Sequence, residues 1–170
     1  MNIMKPSLNA LTFFILIALA AITPGAFAAT PKCTFEILVK TGGRKNSGTD
    51  ARVSLQVSGA RGPTTLEVTN LESWGKMSAG HDYFERGNFD RFSGTGSCIN
   101  GGAGPCKMLL KSDGSGNKPG WYVDYVVVTQ LPHGSGSPKE HKWAVDQWLA
   151  LDEAPHQLFA SRNGCGLAAP

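Results

Sequence analysis

The sequence predicts an all-β domain, an antiparallel β-sandwich of two sheets with about eight short strands. Two observations carry this prediction. Apolar and polar residues alternate at period two in segment after segment, the pattern of a strand with one buried and one solvated face. The segments are separated by runs rich in Gly, Ser, Asn and Pro, which favour turns. No segment sustains the 3.6-residue apolar stripe of an amphipathic helix. Short strands with glycine-rich turns in one domain are the signature of a sandwich.

The elements follow in order. Phe35, Ile37 and Val39 alternate with polar neighbours, as do Val53, Leu55 and Val57, then Leu66 and Val68. "CKMLLKS" (106–112) is a shorter strand. "WYVDYVVVTQL" (121–131) is the longest, with Trp121, Val123, Tyr125 and Val127 expected on one face. "KWAVDQWLAL" and "HQLFASR" close the series. The turn-formers are "TGGRKNSGTD", "SGARGPT", "SGTGSCINGGAGP", "SDGSGNKPG" and "PHGSGSP". "SGTGSC" and "GGAGPC" resemble phosphate-binding loops, but no Gly-Lys-Ser/Thr follows and no helix supplies a dipole. They are read as turns.

Residues 1–28 read as a secretory signal peptide. Lys5 is the early positive charge, Leu11–Ile22 is the apolar run, and Ala26-Phe27-Ala28 is a small-x-small cleavage pattern. The run is too short to span a bilayer. Residues 29–170 are expected to form a single domain with its core in 33–165. The expected destination is the secretory pathway and the extracellular space or apoplast, with the endoplasmic reticulum as the alternative. The last residues, "GCGLAAP", hold no retrieval signal and favour release. Losing 1–28 lowers the formal net charge from +3 to +2. That balance, with scattered basic residues, argues against a nucleic-acid partner.

Cys33, Cys98, Cys106 and Cys165 all lie after the leader, so disulfides are expected. Of the three possible pairings, the expected one is Cys98–Cys106, closing the loop "CINGGAGPC", with Cys33–Cys165 tying the ends of the domain. The alternative, a metal site, lacks both a Cys-x-x-Cys pair and a nearby histidine cluster.

Enzyme signatures are missing. The histidines His81, His133, His141 and His156 form no His-Glu-x-x-His, and there is no Gly-x-Ser-x-Gly elbow. Oxidised cysteines leave no thiol nucleophile. Paired acids such as Asp82 and Glu85 have the chemistry for proton transfer but no motif that marks them for it. A non-enzyme is expected.

The ordered segments "CTFEILVKTGGRKNSGTDARVSLQV", "NLESWG", "HDYFERGNFDRFSGTGSC", "SDGSGNKPGWYVDYVVV" and "WAVDQWLALDEAPHQLFASRNGC" resemble the PLAT, or lipoxygenase-homology, domain across nearly all of 33–165. More narrowly, they resemble a secreted plant-stress group consisting of a leader and one such domain. The strongest matches are Gly48-Thr49-Asp50, Phe84-Glu85-Arg86-Gly87 with Asp90 and Phe92, and Gly120-Trp121. The resemblance implies an eight-strand sandwich and a non-catalytic module that binds lipid or membrane surfaces, calcium-dependent in some members, in stress response. The alternatives are a protein-interaction module without lipid affinity and a lectin-like carbohydrate binder. The oligomeric state stays open.

The same resemblance implies where calcium would sit. Gly48, Thr49 and Asp50 match the first calcium-loop segment, Glu85 matches a carboxylate ligand, and Asp82 is close enough in the chain to join them. Calcium takes six to eight oxygens, so acids and carbonyls are the residue types required. A further family ligand precedes the strand tryptophan. Here "NKPGW" holds no acid, and the nearest is Asp113. The plain alternatives are that Asp50 caps its turn and that Glu85 and Arg86 pair with charges across the loop. Trp74, with Met77 nearby, is the candidate membrane or ligand contact, since indole suits an interface. Packing on the sandwich rim is the competing reading. "HDYFERGNFDRFSG" (81–94) reads as a strand-entry latch anchored by Phe84 and Phe92, with Asp90 fixing the bend and Asp82 and Glu85 on its acidic edge.

Overall fold

A computed structural model describes Met1 and residues 31–99, 104–132 and 134–166. The signal-peptide reading of 1–28 lies outside the described residues. The strands are β1 (Lys32–Thr41), β2 (Val53–Ser58), β3 (Thr65–Val68), β4 (Phe89–Ser97), β5 (Lys107–Ser112), β6 (Trp121–Leu131), β7 (Lys139–Leu149) and β8 (Phe159–Asn163), with a short 3-10 turn at Leu71–Trp74. They form two four-stranded sheets, ordered β4-β1-β6-β7 and β3-β2-β5-β8. Every pairing is antiparallel. The expected eight-strand sandwich is what the chain forms.

The alternation sets the core. Phe35, Ile37 and Val39 of β1 face Val53, Leu55 and Val57 of β2 across the space between the sheets, with Phe84, Phe92, Trp121 and Leu149 also fully buried there. Each such side chain contributes about 1.5–3 kcal/mol over its exposed form. The Trp121 indole N–H is satisfied by the buried Thr41 hydroxyl at 3.0 Å.

Three sequence expectations need correction. First, Trp121, Val123, Tyr125 and Val127 do not share a face. Against β1, Lys40 pairs with Tyr125 and Thr41 with Val123, so Asp124 is an extra residue in β6. The extra residue there makes a β-bulge, which reverses the alternation. Trp121, Val123, Val126 and Val128 are buried, while Tyr125 and Val127 are only half-buried. Lys142 lies 4.0 Å over the Tyr125 ring.

Second, Ser93–Ser97 of "SGTGSC" is not a turn but half of β4, paired with β1 from Lys32↔Ser97 to Glu36↔Ser93. Its glycines serve packing. A Cβ on Gly94 would sit 2.4 Å from the Trp74 ring, and one on Gly96 would sit 2.6 Å from Leu66. The Gly94→Ala variant is therefore expected to lose about 1–3 kcal/mol in denaturant unfolding, with Trp74 fluorescence shifted to the red. An unchanged midpoint and spectrum would contradict this close approach.

Third, the disulfides are Cys33–Cys98 and Cys106–Cys165, not Cys98–Cys106 and Cys33–Cys165. The antiparallel pairing explains the difference. Cys33 opens β1 opposite Gly96, beside Cys98 at the end of β4. Cys106 precedes β5 and Cys165 follows β8, where Lys107 and Asn163 are partners. Each bridge thus closes one strand pair within one sheet. Both lie at the end of the sandwich that carries residues 31 and 166. The loops 42–52, 75–88, 113–120 and 150–158 gather at the opposite end.

Candidate functional site

At that loop end, one carboxylate oxygen from each of Asp50, Asp82 and Glu85 lies within 4.8 Å of the other two. Three features of the chain bring them together. Gly48 lets the 42–52 loop pass close to the 82–88 turn, because a Cβ there would lie 3.0 Å from the Arg86 backbone nitrogen and 3.2 Å from the Glu85 Cα. The buried Thr49 ties the loops. Its N–H donates to the Phe84 carbonyl at 3.3 Å, and its hydroxyl donates to the Pro119 carbonyl at 3.3 Å and accepts the Ala51 N–H at 3.1 Å. Phe84 sits between the two acids with φ +60°, a left-handed backbone uncommon for a non-glycine residue. This turns the chain between Asp82 and Glu85.

The strained turn has an anchor. Asp90 is completely buried. Its carboxylate accepts the Phe84 N–H at 2.8 Å and pairs with His81 Nε2 at 2.6 Å. The Phe84 ring stacks on Phe92 at 5.6 Å and meets Trp121 edge-on at 5.0 Å. The run "HDYFERGNFDRFSG" is thus a latch, with Phe84, Phe92 and Asp90 inside and Asp82 and Glu85 at the rim.

Asp50, Asp82 and Glu85 pair with no Lys or Arg among the described residues. Arg86, which was open to pairing, instead donates to the Gly43 carbonyl at 3.0 Å. Lys45, Asn46 and Lys118 complete the rim of the concavity that Asp50 and Glu85 line. Three converging carboxylates that form no ion pair fit a hard divalent cation, with backbone carbonyls and water completing its oxygen shell. Asp113 is not part of this group. It forms a local turn, accepting the Ser115 N–H at 2.9 Å and the Arg52 N–H at 3.1 Å. Hydrogen bonding from Ser115 holds its carboxyl below the ordinary aspartate value.

Trp74 is half-buried, packed against the core with its ring on Gly94 of β4. The Met77 N–H donates to the Tyr83 hydroxyl at 3.2 Å. The large apolar side chains that are exposed within the domain are others: Leu151 (69 %), Phe89 (50 %) and Phe159 (44 %). Phe89 opens β4 at the loop end, with Lys40 Nζ 4.1 Å over its ring. Leu151 lies just past β7 and Phe159 opens β8, also at that end. No local signal in the sequence marks Leu151, since it continues the i, i+2 spacing from the buried Leu149.

Comparison with known proteins identifies relatives of this fold. The family model described as "PLAT/LH2 domain" matches residues 35–154. PLAT domain-containing protein 2 of Arabidopsis thaliana is 38% identical over 165 residues, covering 95% of this chain and 87% of its own. PLAT domain-containing protein 3 of the same plant is 50% identical over 92 residues, covering 54% of this chain and 86% of its own. Among solved structures, coral 8R-lipoxygenase, whose calcium activation runs through a C2-like domain, superposes with a TM-score of 0.54 at 20% identity. The match spans 76% of this chain and 16% of the lipoxygenase, and it shows a shared fold.

Proposed function

The chain belongs to the PLAT/LH2 domain family, and from that premise we propose that it is a non-catalytic module that docks on lipid or membrane surfaces through its loop end, with calcium held by Asp50, Asp82 and Glu85. The observation that carries this reading is the convergence of three carboxylates that form no ion pair with Lys or Arg among the described residues. Calcium bound there supplies positive charge to which phosphate headgroups can add oxygen ligands. Gly48 and Thr49 hold the two loops together, and Asp90 holds the turn that aims Glu85. Leu151 and Phe89 offer apolar contact at the same end, and Lys40, Lys45 and Lys118 offer attraction to an anionic surface. The calcium activation of coral 8R-lipoxygenase through a C2-like domain supports the same reading. The leader-like segment 1–28 supports a secreted protein of the apoplast, and the resemblance to the secreted plant-stress group carries the proposed role in stress response.

Calorimetric titration of the oxidised protein with calcium tests the site. Saturable heat and a raised melting temperature are expected, both lost in the Asp50→Ala/Glu85→Ala double variant. No heat and no thermal shift would retire the metal. Sedimentation with phosphatidylcholine–phosphatidylserine vesicles tests the surface. Leu151→Asp is expected to weaken calcium-dependent capture about tenfold while leaving the calcium heat unchanged.

A protein partner is the second reading. It is favoured by a concavity on the outer face of the first sheet, where Leu38 and Val127 lie among Glu36, Glu140, Lys76 and Arg91. Specific pull-down of a protein without vesicle capture would select it.

A further inference from the structure

A third concavity, of about 610 Å³, is lined by Arg44, Tyr122, Asp146, Trp148, Glu153 and Pro155. That volume is in the range of small-ligand sites. Tyr122 of β6 and Trp148 of β7 are cross-strand partners, with ring centroids 5.4 Å apart and planes at 74°. The Arg44 guanidinium carbon lies 4.1 Å from the Tyr122 ring centroid, and Arg44 donates to the Tyr122 hydroxyl at 3.1 Å. Tyr122 is therefore covered. Trp148 is half-buried and meets no aromatic ring except Tyr122, and no cation, among the described residues. It is the flat apolar surface of the cleft.

The wall beside it is strained. Asp146 has φ +46° and sits at the bulge, where β7 passes from the pairing Ala144↔Tyr125 to Gln147↔Val123. Left-handed non-glycine residues and bulges concentrate where a strand must aim a side chain. The carboxylates of Asp146 and Glu153 pair with no cation among the described residues. The other cation of the cleft, Arg162, is occupied by its own fold. It donates to the Ala144 carbonyl at 3.0 Å, the Gln147 side-chain carbonyl at 2.8 Å, the Ser161 carbonyl at 3.0 Å and also the Val145 carbonyl.

The groups left for a ligand are one indole face, two carboxylates and one guanidinium. This set has no cationic excess and so does not select phosphate, sulfate or carboxylate. It offers acceptors and a donor around an apolar plane, which matches a ring with an apolar C–H face and an equatorial belt of hydroxyls. We propose that this cleft is a carbohydrate site taking an uncharged pyranose unit of an oligosaccharide, stacked on Trp148 and hydrogen-bonded by Asp146, Glu153 and Arg44. The site is separate from the acidic trio and needs no metal.

The test is a titration of the oxidised protein, in chelator, with cellohexaose, xylohexaose and mannohexaose, and with hexagalacturonate as the charged counterpart. It is read by calorimetry and tryptophan fluorescence. Saturable binding of at least one neutral hexasaccharide is expected, in preference to hexagalacturonate. Trp148→Ala is expected to weaken it at least about tenfold, and so is Glu153→Gln, a loop substitution outside the core. Asp50→Ala/Glu85→Ala is expected to leave it unchanged. The proposal is overturned if none of the neutral probes binds at millimolar concentration, if hexagalacturonate binds best, or if Trp148→Ala and Glu153→Gln, with melting temperatures retained, bind as well as the parent.

Discussion

Replacing Asp90 with alanine is expected to destabilise the domain by about 3 kcal/mol, lowering its melting temperature by about 10 °C. The carboxylate is completely buried and meets two donors, the Phe84 N–H and His81. Removing it leaves the buried Phe84 N–H without its acceptor and His81 without its partner. Asp90→Asn keeps an acceptor for the Phe84 N–H and should lose about half as much. Chemical denaturation of the three proteins checks the order. A second readout separates fold from site. Calcium affinity at a temperature where all three are folded should fall with Asp90→Ala, because the turn it anchors aims Glu85. If Asp90→Ala unfolds at the parent's midpoint, the latch is not held by this carboxylate.

The Phe84 ring gives the second large effect. Phe84→Ala removes a fully buried aromatic that touches both Phe92 and Trp121, and a loss of about 3–5 kcal/mol is expected. The backbone makes a sharper prediction. At φ +60°, alanine keeps the strain that phenylalanine bears, whereas glycine relieves it. Phe84→Gly should therefore be more stable than Phe84→Ala by about 1 kcal/mol, the reverse of the order in ordinary helix and strand positions. Equilibrium unfolding of the pair decides it. A less stable Phe84→Gly would mean that the left-handed conformation at Phe84 carries no strain.

The strands were legible wherever burial alone spaced the residues. Phe35, Ile37 and Val39 or Val53, Leu55 and Val57 need only an inner and an outer side, and their alternation says so. The failures share a different cause. Gly94 and Gly96 are glycines because Trp74 and Leu66 press on them, and those neighbours come from other parts of the chain. The bulge at Asp124 depends on how β6 pairs with β1, so the period-two pattern runs past it unmarked. The cysteine pairing depends on which strands lie side by side, and loop length carries no such information.

The candidate site divides in the same way. Asp50, Asp82 and Glu85 were readable from a shared pattern of short segments, and the fold brings them together. Asp113 looked available by position, but its own turn uses it. Trp148 carries no mark of its own in the sequence, because nothing local distinguishes a half-buried ring in a cleft from a buried one.

Both disulfides sit at one pole of the sandwich, with residues 31 and 166, and the four functional loops sit at the other. The domain therefore has a handle and a face. A tether attached before residue 31 or after residue 166 would point the face outward, whatever it is attached to. The loops of that face are also free of covalent crosslinks, so their sequences can be exchanged without breaking the stitches that close the sheets. The fold is suited to displaying recognition loops away from whatever holds it.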